Sequence, residues 1–241
     1  MTPLWEQISN EALARYHLSP HELHRLRELA SLFLHYKKFS GAGGQVLDDR
    51  MRALIAAEAC LLILELDREY FDGWLEIIIY PDFFVVEREE QDASGLVHKR
   101  RAVLGGEAWG RGPVILAWGD AQPGASARAR SSSVILHEFA HKLDMLNGAA
   151  NGMPPLHPDV NRYDWTRIFN NAYEQLRARL DQHRHTDIDP YAAENPAEFF
   201  AVLSEAFFLL PRQLHHDHPD LYDQLRLFYR QNPLQRHMKK S

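Results

Sequence analysis

A helix that is apolar on almost every side, yet carries two histidines and a glutamate, is stable only inside a larger fold. Residues 134–143 read Val-Ile-Leu-His-Glu-Phe-Ala-His-Lys-Leu, with Val134, Ile135, Leu136, Phe139 and Leu143 spread around the helical circle. Such a segment must be covered on several sides. Its buried imidazoles and carboxylate then need polar partners or a cation, because burying them bare is costly. His137 and His141 are four residues apart, so both rings lie on one face and reach a single ion. Glu138 projects beside them, where a carboxylate can hold and deprotonate a water bound to that ion. With 14 histidines in 241 residues, chance supplies roughly 0.06 matches to this His-Glu-x-x-His pattern. An incidental His and Glu pair on a surface helix fits the apolar flanks poorly.

The rest of the chain predicts an α+β fold, mainly helical, with a small sheet beside the His-Glu-x-x-His helix. Ser19-Pro20-His21-Glu22 has the form of a capping box, followed at helical spacing by Leu23, Leu26, Leu29, Ala30 and Phe33. Gly41–Gly44 lacks the Lys-Ser/Thr of a phosphate-binding loop and reads as a connector to a second helix opened by Asp48 or Asp49. Residues 74–80 and 83–87 are rich in β-branched and aromatic side chains around Pro81-Asp82, which predicts two strands. Residues 88–95 read as an exposed loop, and 113–118 as a short strand whose Pro113 suits a strand start or an edge. Helices follow from Ser131–Ser133, from Ile168 to Leu180, after Asn195-Pro196, and over 219–231. Runs of helices flanking a few strands exclude an alternating βα architecture. The length fits a single domain over 1–241, with an amino-terminal part (1–130) and a carboxy-terminal part (131–241) flanking a cleft.

Two helical histidines leave a catalytic zinc one protein ligand short. Glu198 and Glu205, seven apart in Tyr-Ala-Ala-Glu-Asn-Pro-Ala-Glu (191–198) and the residues after it, share a helix face and are both candidates. Glu198 also stands three residues after Asn195, where it could complete a capping box, and Glu205 could face solvent. Asp144 stands three residues after His141, within reach of that imidazole's second N–H or else exposed. His183, His185, His215, His216 and His218 fall in segments that read as polar loops, without a scaffold for a second metal site.

A net charge of −6 and the lack of a basic helix argue against nucleic-acid binding. No apolar run approaches the ~20 residues of a membrane span, and no secretion signal is visible, which predicts a cytoplasmic protein. Cys60, the single cysteine, has no intramolecular partner and sits in an apolar run that predicts burial.

Residues 104–118, 137–156 and 191–208 closely resemble the Mlc titration factor A family of bacterial zinc peptidases, and the likeness runs from about residue 50 to the end. The resemblance implies a zincin-like fold with a catalytic half similar to the lethal-factor type of gluzincin. It implies one zinc per chain held by His137, His141 and Glu198, with Glu138 as general base. It further implies that Tyr191, seven residues before Glu198, assists catalysis. Substrate peptides would lie along an edge strand, which places 113–118, Trp109 and Trp118 either in the cleft or in the core. Aminopeptidase activity and binding of the glucose repressor Mlc are implied as well. The competing expectation is a regulatory protein that sequesters a transcription factor, with peptidase activity secondary. The first 40 residues carry no motif that the resemblance transfers.

Overall fold

Ile77 and Ile79 are buried while their neighbours Glu76, Ile78 and Tyr80 are half-buried, the alternation of a strand with one well-covered face. The computed structural model describes residues 3–82, 84–91, 97–104, 106–108, 112–121 and 132–238. Its strands are β1 (Lys38–Gly41), β2 (Glu76–Tyr80), β3 (Phe84–Gln91), β4 (Val97–Leu104), β5 (Gly106–Ala108) and β6 (Val114–Ala117). Four of them form one sheet in the order β1-β2-β6-β5, in which β1, β2 and β6 are parallel and β5 runs antiparallel along β6. β3 and β4 form a separate antiparallel ribbon, paired from Phe84↔Leu104 to Gln91↔Val97.

The helices are α1 (Pro3–Glu11), α2 (Pro20–Tyr36), α3 (Asp49–Leu62), α4 (Trp118–Ala121) and α5 (Val134–Asp144). They continue with α6 (Arg162–Asp181), α7 (Pro196–Leu209), α8 (Pro211–Asp217), α9 (Pro219–Tyr229) and α10 (Pro233–Met238). Short 3-10 turns occupy Leu13–Tyr16, Arg68–Phe71, Met145–Asn147 and Pro190–Ala193. Ser19 and Glu22 close the expected capping box at the start of α2, with bonds of 3.3 and 2.7 Å. Asp48 caps α3 through the Met51 amide. Proline at the first turn of α2, α7, α8 and α9 pre-sets the helical φ where no amide donor is needed.

The mainly helical α+β, zincin-like architecture agrees with the sequence expectation. α5 lies at the centre, packed against α3, α7, β5 and β6. Phe139 projects from it into a cluster with Phe33, Phe71 and Trp74, at ring separations of 5.7, 5.3 and 5.7 Å. α3 is buried along nearly its whole length, Cys60 included.

Several expectations are corrected. β6 is an interior strand between β2 and β5, and the edge beside α5 belongs to β5. Pro113 immediately precedes β6, so its missing N–H costs no ladder bond. Residues 88–91 continue β3 instead of opening a loop. His215 and His216 lie on α8, since Pro211 starts a helix there. Trp118 is packed in the core, and Trp109 lies outside the described residues. No described helix is long and apolar enough to cross a membrane.

Candidate metal centre

Two helix starts place the site. Ser133 caps α5 by accepting from the Leu136 amide at 3.2 Å, which sets His137 and His141 in the first two turns. Asn195 caps α7 by accepting from the amides of Ala197 and Glu198 at 2.9 and 3.0 Å, with Pro196 behind it. Glu198 therefore sits in the first turn of α7, and its carboxylate turns toward α5. His137 Nε2 lies 2.9 Å from Glu198 Oε2 and 3.2 Å from His141 Nε2, and His141 Nε2 lies 3.3 Å from Glu198 Oε2. Bonds of about 2.0–2.1 Å in a tetrahedral zinc site put donor atoms about 3.3 Å apart. The three donors thus form a triangle close to one face of such a tetrahedron, and these three residues could hold a metal ion.

Glu205 does something different. Two turns of α7 separate it from Glu198 by about 10 Å, and its Oε1 sits 2.8 Å from the other ring nitrogen of His137, Nδ1. With Nδ1 donating to that carboxylate, Nε2 keeps a lone pair that an ion at the centre would take. Glu205 Oε2 also accepts from the Ser133 amide at 2.6 Å. The solvent-facing alternative for Glu205 is thereby excluded, because the side chain is buried. His137 is gripped at both ring nitrogens by two carboxylates of one helix.

Asp144 is fully buried but does not orient His141. Its Oδ2 accepts from the amides of Asn151 and Gly152 at 2.8 and 2.7 Å. Among the described residues, neither its Oδ1 nor His141 Nδ1 finds a hydrogen-bond partner. Asp144 instead clamps the loop after α5 against the start of α7. Gly152 has φ of +79°, and a Cβ there would meet the Pro196 carbonyl oxygen at 2.4 Å.

Glu138 is 5% exposed beside the two imidazoles. Tyr191 lies in the 3-10 turn Pro190–Ala193, where the Asp189 side chain accepts from its amide. Its ring stands 6.0 Å from that of His137, and 44% of the residue remains exposed. All five residues singled out in the sequence therefore gather at one place, with Tyr191 the most exposed of them.

The electrostatics call for positive charge at the centre. Burial alone would push His137 down, yet hydrogen bonds to Glu198 and Glu205, with the charges of Glu205 and Glu138, raise its pKa well above the usual imidazole range. Burial likewise works upward on Glu198, but its hydrogen bonds to His137 and His141 hold it far below the usual carboxylate range. Two imidazole nitrogens facing each other at 3.2 Å need a shared proton or a cation between them. Two imidazoles and one carboxylate, with further carboxylates around them, suit a divalent ion such as zinc.

Sequence reasoning passed over two residues connected to this site. Glu58 on α3 is 1% exposed, accepting from Ser133 Oγ at 2.6 Å and from Arg15 Nη2 at 2.5 Å. A lone glutamate inside Ala-Ala-Glu-Ala-Cys-Leu-Leu was the available signal, since an apolar helix does not bury a carboxylate without a partner.

Comparison with known proteins extends beyond the site. A family model, glucose-regulated metallo-peptidase M90, matches residues 1–230. The chain is 41% identical over 235 residues to Mlc titration factor A of Klebsiella pneumoniae strain 342, covering 96% of this chain and 87% of that protein. To Mlc titration factor A of Salmonella schwarzengrund it is 42% identical over 233 residues, covering 94% and 87%. To an uncharacterised protein of Synechocystis sp. it is 40% identical over 236 residues, covering 97% and 86%. A match that runs from the first helix to α9, and not through the His-Glu-x-x-His helix alone, makes this chain a member of the M90 family of glucose-regulated metallo-peptidases.

Proposed function

We propose that the whole chain is one gluzincin-type zinc peptidase. In this reading His137, His141 and Glu198 are the metal ligands, Glu138 is the general base and Tyr191 is the oxyanion donor. The observation that carries it is the donor triangle of two Nε2 atoms and one carboxylate oxygen, with edges of 2.9, 3.2 and 3.3 Å. Zinc bound there supplies Lewis-acid polarisation and lowers the pKa of a water toward about 7. Glu138 takes the proton of the attacking water and returns it to the leaving amine. The Tyr191 hydroxyl donates to the carbonyl oxygen as negative charge grows on it. Glu205 keeps the His137 lone pair on the centre by holding the opposite ring nitrogen. β5, at the sheet edge beside α5, offers the main-chain groups along which an extended peptide would pair.

Within this proposal the enzyme is an aminopeptidase of the cytoplasm. The named relatives are Mlc titration factors, which favours a second role for this chain in binding the repressor Mlc. Glu138→Gln separates the two roles, because it keeps the shape of the site and removes the proton acceptor. Peptide cleavage should fall by roughly 10²–10⁴-fold, while zinc content and repressor binding persist. A peptide-library digest read by mass spectrometry, with and without chelator, identifies the reaction. Stepwise loss of single amino-terminal residues is the expected result, internal cuts would make it an endopeptidase, and no chelator-sensitive cleavage would refute the peptidase reading.

A further inference from the structure

We propose that Arg15 and Glu58, far from the metal centre in sequence, are positioning residues for it, acting through a buried chain of hydrogen bonds that ends on His137. The proposal rests on the metal-centre reading above and adds the means by which that centre is held.

The chain crosses four separate segments. Arg15, in the turn Leu13–Tyr16, donates from Nη2 to Glu58 Oε1 at 2.5 Å and to the Tyr16 hydroxyl at 2.8 Å. Ser133 Oγ donates to Glu58 Oε2 at 2.6 Å while accepting from the Leu136 amide. The Ser133 amide donates to Glu205 Oε2 at 2.6 Å, and Glu205 Oε1 accepts from His137 Nδ1 at 2.8 Å. The partners lie 43, 75, 72 and 68 residues apart in sequence, so none of these bonds follows from local structure.

Donors and acceptors alternate along the chain, with Arg15, Ser133 and His137 donating and Glu58 and Glu205 accepting from both sides. Both carboxylates only accept when ionised, so every hydrogen in the sequence of contacts is fixed in place. Ser133 is the junction, because its hydroxyl is spent on Glu58 and its amide on Glu205. The first turn of α5 is thereby held against Glu58 on one side and Glu205 on the other. Glu58 is buried, and the Arg15 guanidinium is the cation bonded to it. Without that guanidinium, Glu58 is a buried carboxylate with no cation bonded to it, a costly arrangement that its side chain relieves by moving toward water. A displaced Glu58 no longer holds Ser133 Oγ, the oxygen that accepts from the Leu136 amide. The cap of α5 loosens, and with it the register between Ser133, Glu205 and the His137 ring.

A different role is conceivable for the same salt bridge, namely pinning the amino-terminal turn to the core with no effect on the metal. The two roles differ in what they move. The test uses the full chain with Arg15→Gln, Arg15→Lys and Glu58→Gln. Arg50→Gln serves as control, because Arg50 ties α3 to Glu11 on α1 by an exposed 3.1 Å pair with no contact to the site. Three quantities are read: the zinc dissociation constant by chelator competition, the visible spectrum of the cobalt-substituted protein, and the Tm of the metal-free protein. Outer partners of metal ligands are worth roughly 10–100-fold in affinity. The expected result is weaker zinc binding within that range for Glu58→Gln and about tenfold for Arg15→Gln. Arg15→Lys should recover part of the loss, the cobalt spectrum should shift in the two neutral variants, and Arg50→Gln should leave both metal readouts at wild type. The proposal is overturned if Arg15→Gln and Glu58→Gln lower the metal-free Tm but keep zinc affinity within about twofold of wild type and the cobalt spectrum unchanged. Should Arg15→Gln fail to fold, Arg15→Lys and Glu58→Gln decide on the same readouts. Absence of zinc and cobalt binding in the wild type would instead remove the metal-centre reading, and this proposal with it.

Discussion

Tyr191 combines a ring beside His137 with nearly half of its surface in solvent, so its hydroxyl can be removed with little structural cost. Tyr191→Phe should keep zinc and Tm at wild type and lower kcat roughly 10²–10³-fold, with a smaller effect on KM. Steady-state kinetics on any cleaved peptide checks this, and a kcat within about threefold of wild type would take Tyr191 out of the mechanism. The two carboxylates of α7 divide along the same imidazole. Glu198→Ala removes a donor of the triangle and should nearly abolish zinc binding. Glu205→Ala should weaken it by roughly 10–100-fold and destabilise the fold by about 1–3 kcal/mol, because the buried Ser133 amide loses its acceptor. Zinc titration with thermal melts on both variants separates these outcomes, and equal zinc loss would merge the roles. Spacing made Glu198 and Glu205 legible as one face. It could not assign them, since which ring nitrogen each one meets depends on how α5 and α7 cross. Glu58 and Arg15 stayed hidden for a related reason, as their partners come from elsewhere in the chain.

At the scale of elements, the loop after α5 controls the site as much as the helices do. Asp144 holds the amides of Asn151 and Gly152, and Trp165 Nε1 donates to the Gly152 carbonyl at 3.3 Å. Gly152→Ala combines a left-handed φ with a clash against Pro196, two residues before Glu198. Backbone strain of this kind costs about 1–3 kcal/mol. The variant should melt earlier and bind zinc more weakly, because the backbone that must give way carries the proposed ligand Glu198. An unchanged melt and zinc affinity would show that the loop does not brace α7. β2 and β6 were readable from runs of isoleucine, valine and leucine. β1 and β5, four and three residues long with no apolar alternation, are strands only through their partners. Sequence alone therefore leaves Pro113 open as a strand start or the mark of an edge strand, and only the pairing with β2 and β5 makes β6 interior.

Across the whole molecule, the donor triangle joins two helices, whose proposed ligands His137 and Glu198 stand 61 residues apart. An ion held there ties α5 to α7 in the folded state alone, so its binding free energy adds to stability. At a free zinc concentration one hundred times Kd the gain is about 2.7 kcal/mol, which for a chain of this size raises Tm by roughly 5–10 °C. Calorimetry on metal-free and zinc-loaded protein measures it, and equal melting temperatures would show that the site does not load. The single thiol offers another view of the same coupling. Cys60 lies inside α3, burial pushes its thiol far above the ordinary range, and no second cysteine competes with it for reagent. Covalent labelling therefore waits until α3 leaves the core, and each modified molecule records one such excursion. The protein carries its own clock for opening, and the ratio of that clock's speed without and with zinc states how firmly the metal keeps the interior shut.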